Sequence, residues 1–309
     1  MHEEQSMNTE FDPLVQWHQD EKAWWNMYGD YMTYQWKLTP SLHEQIRMPL
    51  EKEYVNYLLK PGGRLLDLGC GSGWLSFHFA ERGMSVLGID VALEQINSAN
   101  ELKQARQSDN VSFECADFIA WDSSPYEAGF DCVFVSAFLH HLPEVELEQT
   151  VLKIAALVKP GGRVFLYEPL TSEKPRSLPV KVIDRLCSLA LLILLDKIPK
   201  WFGLVSERHM AELARGYKMT SPHERPVDVA LLRKFCGNAF EISEIKGWHL
   251  HSLGFAMQVT ALRDNARKYY EPLGRFWYGL DRRLLRHFGW ESFSLPGRFI
   301  LCSVKLTKK

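Results

Sequence analysis

Two groups of residues in this chain have types and spacings suited to chemistry. The first is Asp67-Leu68-Gly69-Cys70-Gly71-Ser72-Gly73, whose glycines let the backbone turn sharply and approach a ligand without Cβ clashes. The second is Phe138-Leu139-His140-His141-Leu142, which sends two imidazoles out of an apolar run. A neutral histidine there can take a proton from a hydroxyl or an amine. Between them stand Asp90, closing SVLGID, and Asp117, in Cys115-Ala116-Asp117-Phe118. A carboxylate at the first of these places can accept both hydroxyls of a ribose, and one at the second can accept an adenine amino group beside an apolar wall. A dinucleotide fingerprint would also need glycine at position 74, where close helix packing favours a small residue. Trp74 stands there, which disfavours NAD or FAD.

These residues can meet only if a sheet brings them to one edge. After the Pro61-Gly62-Gly63 turn the signals alternate: RLLDL as a strand, a helix from Trp74 to Arg82, SVLGID as a strand, and a helix over 92–107. The strand VSFEC follows, then FDCVFVSA at 130–137, a helix from Val145 to Val158 and the strand GRVFLYE at 162–168. Apolar strands in this rhythm predict a parallel sheet covered on both faces, with ligands beyond the carboxyl ends of the strands where the order reverses. Before this core, Leu42, Ile46, Leu50, Tyr54 and Leu58 recur every four residues and predict a helix over 41–60, with Pro49 a candidate kink. Residues 11–36 carry Trp17, Trp24, Trp25, Tyr28, Tyr31, Tyr34 and Trp36, rings that something must cover. Beyond Pro169 the pattern turns helical over 176–222, with a loop at SPHERP. FEISEIKGW, a helical stretch over 255–288 and the strand RFILCSVKL follow.

In order, DLGCGSG, Asp90, Ala116-Asp117-Phe118 and KPGGRVFLYEP at 159–169 resemble the successive signatures of class I methyltransferases that use S-adenosylmethionine, over about residues 60–170. The resemblance implies a Rossmann-like, doubly wound α/β sheet of seven strands, the last inserted antiparallel. Around it, the chain's own pattern predicts an N-terminal aromatic-rich helical cap (1–60), the cofactor-binding core (61–170), a helical lid inserted after the fifth strand (171–238) and a segment completing the core with the last two strands and connecting helices (239–309). Asp67, Gly69, Cys70, Gly71 and Gly73 would then surround the methionine part of S-adenosylmethionine, with Asp90 and Val91 at the ribose, Ala116, Asp117 and Phe118 at the adenine, and Ser136 on the sulfonium side. The expected activity is methyl transfer to a small-molecule acceptor at oxygen, the acceptor being apolar or lipid-linked. His140 and His141 are the candidate bases, although in similar methyltransferases a His-His-Leu run often only shapes the pocket. Because the methyl group is already bound to a cationic sulfur, alignment and exclusion of water are the main requirements and no metal is needed. Aromatic faces of Trp24, Tyr28, Tyr31 and Tyr34 could steady that charge. Glu168, His209, His223 and Arg225 could also reach the mouth. The alternatives are a non-catalytic S-adenosylmethionine-binding or regulatory protein and a nicotinamide-dependent oxidoreductase.

Composition bounds the partners. A chain of 309 residues that is 46% hydrophobic can bury a large core, and a net charge of −2 gives no broad basic face for nucleic acid. Six scattered cysteines without a C-x-x-C pair fit free thiols in a reducing cytoplasm rather than a metal site, and MHEEQSMNTEFDP has no secretory character. The run from Val182 to Leu195 is apolar nearly all round, yet too short for the roughly 20 residues of a membrane span. It must meet the protein's own core, a second subunit in a homodimer, or a hydrophobic substrate or peripheral membrane surface, the last suited to Lys197, Lys200, Trp201 and Phe202.

Overall fold

The computed structural model describes residues 12–37, 40–174, 176–218, 220–294 and 300–309, with backbone alone at 32–37, 40 and 43. The Tyr34 and Trp36 side chains and the first residues of RFILCSVKL therefore lie outside the described set. The strands are β1 (Arg64–Leu68), β2 (Ser85–Asp90), β3 (Val111–Cys115), β4 (Phe130–Ser136), β5 (Val158–Thr171), β6 (Val227–Asp228), β7 (Phe240–His249) and β8 (Ile300–Lys308). They form one sheet ordered β3-β2-β1-β4-β5-β8-β7, in which β1 to β5 run parallel and β8 runs antiparallel to both its neighbours. This is the doubly wound, Rossmann-like arrangement the sequence predicts. β6, two residues long, adds a parallel pairing on Leu170 and Thr171, too short to leave a periodic signal.

Strand alternation separates the two layers. Cys132, Phe134, Phe165 and Tyr167 point to one face, where Tyr54 and Leu58 of α2 (Met48–Leu58) and Leu75, Phe77 and Phe79 of α3 (Trp74–Ala80) cover them. Val133, Val135, Val164 and Leu166 point to the other, against Leu147, Val151 and Ile154 of α5 (Glu144–Leu157). Helix α4 (Leu93–Arg106) links β2 to β3. The stretch expected as a helix over 41–60 is divided: a π-type turn, His43–Arg47, precedes α2, and Pro49 falls in the first turn of α2, where its missing N–H is not needed.

Outside the sheet, α1 (Pro13–Lys37) lies along α4, with Gln95 Nε2 donating to Asp30 Oδ1 at 3.0 Å. Gly29 leaves room for the Gln95 side chain: a Cβ there would come within 2.5 Å of its amide, which would have to move aside. The insert begins with α6 (Leu178–Leu192), a π-type turn (Ile193–Lys197) and a single helical turn (Ile198–Trp201), followed by α7 (Glu207–Ala214) and then α8 (Val229–Gly237) after β6. One side of α6 and its π-type turn packs into a cluster with Leu42, Ile46, Phe255, Val259 and Trp277. The helical stretch expected over 255–288 consists of α9 (Ser252–Thr260), α10 (Asp264–Tyr270) and α11 (Leu273–Phe288).

Candidate functional site

A cleft of about 170 Å³ opens beyond the carboxyl ends of β1, β2 and β4, where the strand order reverses. Gly69, Gly71, Asp90, Val91, Ala116, Asp117, Phe118, Ser136 and His141 line it together. Each comes from the end of a strand or the loop after it. Asp90 closes β2 with Oδ2 accepting from the Gly71 N–H at 2.8 Å and Oδ1 from the Ala92 N–H at 2.9 Å, so it ties the glycine loop to the next helix. Burial raises its pKa against these bonds. Asp117 accepts from the Ile119 N–H at 2.9 Å through Oδ1, beside the Phe118 ring.

Asp67, Cys70 and Gly73, expected at the cofactor, do not face the cleft. Asp67 is buried and accepts from Ser76 Oγ at 2.6 Å, and burial pushes its pKa up to about 7. The Cys70 thiol is buried beside Gly88, and burial raises its pKa. Gly73 caps α3 with φ +75, and a Cβ on it would come within 2.4 Å of the Phe113 ring. The close-packing place at the start of this helix is therefore residue 73, not 74. Trp74 turns outward, 39% exposed and stacked on His78.

The two histidines divide. Just after β4, Ala137 has φ +52, a left-handed conformation that costs a non-glycine residue about 1 kcal/mol and turns the chain so that Phe138 faces the cleft. Glu168, fully buried on β5, holds that turn: Oε1 accepts from the Phe138 and Leu139 N–H groups at 2.9 and 3.0 Å, and Oε2 lies 2.7 Å from His140 Nδ1. His140 Nε2 sits 3.5 Å from Glu224 of the insert. Burial works against the charged imidazole, yet its bonds to Glu168 and Glu224 raise the pKa to about 9. His140 is thus an imidazolium at neutral pH and stands behind the cleft wall.

His141 lines the cleft. Burial and the neighbouring His140, 3.9 Å away between ring centroids, lower its pKa and keep it neutral. Its described polar contacts use Nδ1, which is 3.0 Å from Ser221 Oγ and 3.1 Å from Glu21 Oε2. Glu21 belongs to α1, and its other oxygen accepts from the His223 N–H at 2.9 Å.

Helix α1 therefore forms a wall of the cleft through His18, Glu21 and Trp25. The aromatic residues expected there are elsewhere: Trp24, Tyr28 and Tyr31 pack on Tyr217 of the insert. The sequence holds the signal in a different row, since His18, Glu21 and Trp25 stand three and four residues apart and share one helix face. Trp17 Nε1 donates to the His141 carbonyl at 2.7 Å, and its ring stacks on His223. Of the further candidates, His223 pairs with Asp20, and Arg225 donates to the Leu142 carbonyl. His209 is buried against the Tyr31 hydroxyl, away from the cleft.

The cleft suits S-adenosylmethionine. It offers bare backbone at Gly69 and Gly71, carboxylates at the ends of two adjacent strands, and an apolar wall of Val91, Ala116, Phe118 and Leu142. Comparison with known proteins agrees. Residues 65–162 match the methyltransferase domain family. The ubiquinone biosynthesis O-methyltransferase of Coxiella burnetii is 28% identical over 159 residues, 51% of this chain and 62% of that protein. The enzyme of the same description from Albidiferax ferrireducens is 27% identical over 203 residues, 65% of this chain and 74% of that one. The geranyl diphosphate C-methyltransferase of Streptomyces coelicolor, solved with S-adenosylhomocysteine, superposes with a TM-score of 0.50 at 13% identity, covering 85% of this chain and 79% of its own. The chain spans less than two thirds of the length of the Coxiella relative it matches.

Proposed function

We propose that the chain moves a methyl group from S-adenosylmethionine to an oxygen of an apolar small molecule, a reading that the methyltransferase-domain match over residues 65–162 supports. Oxygen is favoured by the two O-methyltransferase relatives. The observation that carries the reading is the neutral His141 on the cleft wall, with a carboxylate beside Nδ1. A proton on Nδ1, bonded to Ser221 Oγ and steadied by the nearby Glu21 charge, leaves Nε2 free to take the acceptor's hydroxyl proton.

In this reading Asp90 holds the ribose, Asp117 and Phe118 the adenine, and Gly69 and Gly71 let the methionine part lie on the backbone. The bound cofactor supplies an electrophilic methyl on a cationic sulfur. Trp25 and Phe138 exclude water and present aromatic faces to that charge. Residues 1–60 act as the cap, 61–170 with 239–309 as the core, and 171–238 as the lid that carries Ser221 and Glu224 to the histidines. Free thiols at all six cysteines suit a cytoplasmic setting.

The test is calorimetry with S-adenosylhomocysteine and with NAD, followed by turnover on a panel of phenols and alcohols of graded apolar size. Binding of the first ligand alone, with turnover on apolar hydroxyls, is the expected result. Tight S-adenosylhomocysteine binding without turnover on any acceptor would leave a cofactor-binding regulatory protein, and NAD binding would overturn the reading.

A further inference from the structure

The insert has two faces of opposite character. Val180, Leu191, Leu194 and Leu195 turn toward the protein, while Leu178, Val182, Leu186, Leu189 and Ile193 follow one another along the outer side at helical spacing. Leu178 is 73% exposed, Leu186 62%, and Trp201 and Phe202 on the next turn 85% and 69%. A row of large apolar side chains this exposed needs a partner.

The charges around the row say which one. Lys181 and Arg185 are exposed on the same side, and neither makes a described ion pair. Lys197 and Lys200 follow, 69% and 63% exposed. Between Leu178 and Ser206 the acids are Asp184, buried and bonded to Arg176, and Asp196, bonded to Lys200. A chain of net charge −2 thus presents here an apolar strip edged by cations, with its acids turned in or neutralised.

We propose that the outer face of α6 and the turn through Phe202 docks on the surface of an anionic lipid bilayer, lying in the headgroup plane without crossing it. Apolar side chains enter the acyl boundary while Lys and Arg meet lipid phosphates, which is how interfacial helices bind. Among the described residues no helix is long and apolar enough to span. A second copy of this chain fits less well, because a twofold contact would join two copies of the same cation-edged patch, whose acids Asp184 and Asp196 are already paired. The face also belongs to the segment that carries Ser221 and Glu224 back to the histidines, so docking places the lid at the source of lipid-soluble molecules.

Flotation with vesicles of phosphatidylcholine alone and of phosphatidylcholine with phosphatidylglycerol tests this without any methyl acceptor. The full chain is expected to float at least tenfold more with the anionic vesicles, the difference shrinking as salt rises. Lys181→Glu with Arg185→Glu, and separately Leu186→Ser with Trp201→Ser, should each lower that partition at least tenfold. S-adenosylhomocysteine affinity should be unchanged in both, which also reports that they fold. Flotation absent, indifferent to lipid charge or untouched by both variants would overturn the proposal. So would a dimer in sedimentation that Leu186→Ser with Trp201→Ser dissociates.

Discussion

At neutral pH the two adjacent imidazoles cannot do the same job. His140 is charged by its two carboxylates, and that charge, beside burial, keeps His141 neutral. His141→Ala is therefore expected to lower kcat by about 10²- to 10⁴-fold, the usual range for a general base, with S-adenosylhomocysteine affinity nearly intact. Glu21→Gln should lower kcat less and change the acid limb of its pH profile, and Glu21→Asp should restore part of the loss. A flat response in the pH–rate profile would leave Glu21 a packing residue. On the cofactor side, Asp90→Ala removes an acceptor of charged hydrogen bonds, worth about 1.5–3 kcal/mol, which is roughly a ten- to 150-fold loss of S-adenosylhomocysteine affinity by calorimetry. Because Asp90 also binds the Gly71 amide, a thermal melt must show that the variant keeps its fold.

Among the elements, those whose role is to alternate were legible in the sequence. RLLDL, SVLGID, VSFEC and FDCVFVSA form strands where their patterns place them, and the loops after them carry the cleft, because strand period and glycine turns are local properties. What local pattern could not show is which side of α1 meets the cleft. Aromatic density drew attention to Trp24, Tyr28 and Tyr31, which pack on Tyr217, whereas His18, Glu21 and Trp25 line the cleft, a choice made by packing against α4 and Tyr217. Glu21, Ser221 and Glu224 were hidden for the same reason: each comes to the histidines from a distant part of the chain. Trp74 counts against a dinucleotide only if residue 74 is the close-packing place at the start of α3. The tight contact lies one residue earlier, at Gly73 against Phe113. Gly73→Ala should therefore destabilise the protein by about 1–3 kcal/mol in urea unfolding, through a forced left-handed alanine and an overpacked contact. Trp74→Ala, at the exposed position beside it, should cost well under 1 kcal/mol.

For the whole molecule, the ion network Glu168–His140–Glu224 joins the sheet, through β5, to the insert that closes the site. Its proton couples global stability to pH, and the sign follows from the shift. The folded pKa of His140 is raised from 6.5 to about 9, so its contribution is fully present below pH 6.5 and is lost as pH rises through 9. For a fully buried group the loss is on the order of 3 kcal/mol. Asp67, raised to about 7, has the same sign but a lower window, its contribution already fading between pH 4 and 7. The two are thus separable. Urea unfolding between pH 7 and 9 should show stability falling, and His140→Gln, less stable throughout, should flatten that slope while leaving the fall below pH 7. An unchanged slope in His140→Gln would mean that His140 is not the proton that ties the insert to the sheet. If the variant does not fold, direct NMR titration of the His140 ring in the native protein answers the same question, with a midpoint near 6.5 contradicting the charged clamp.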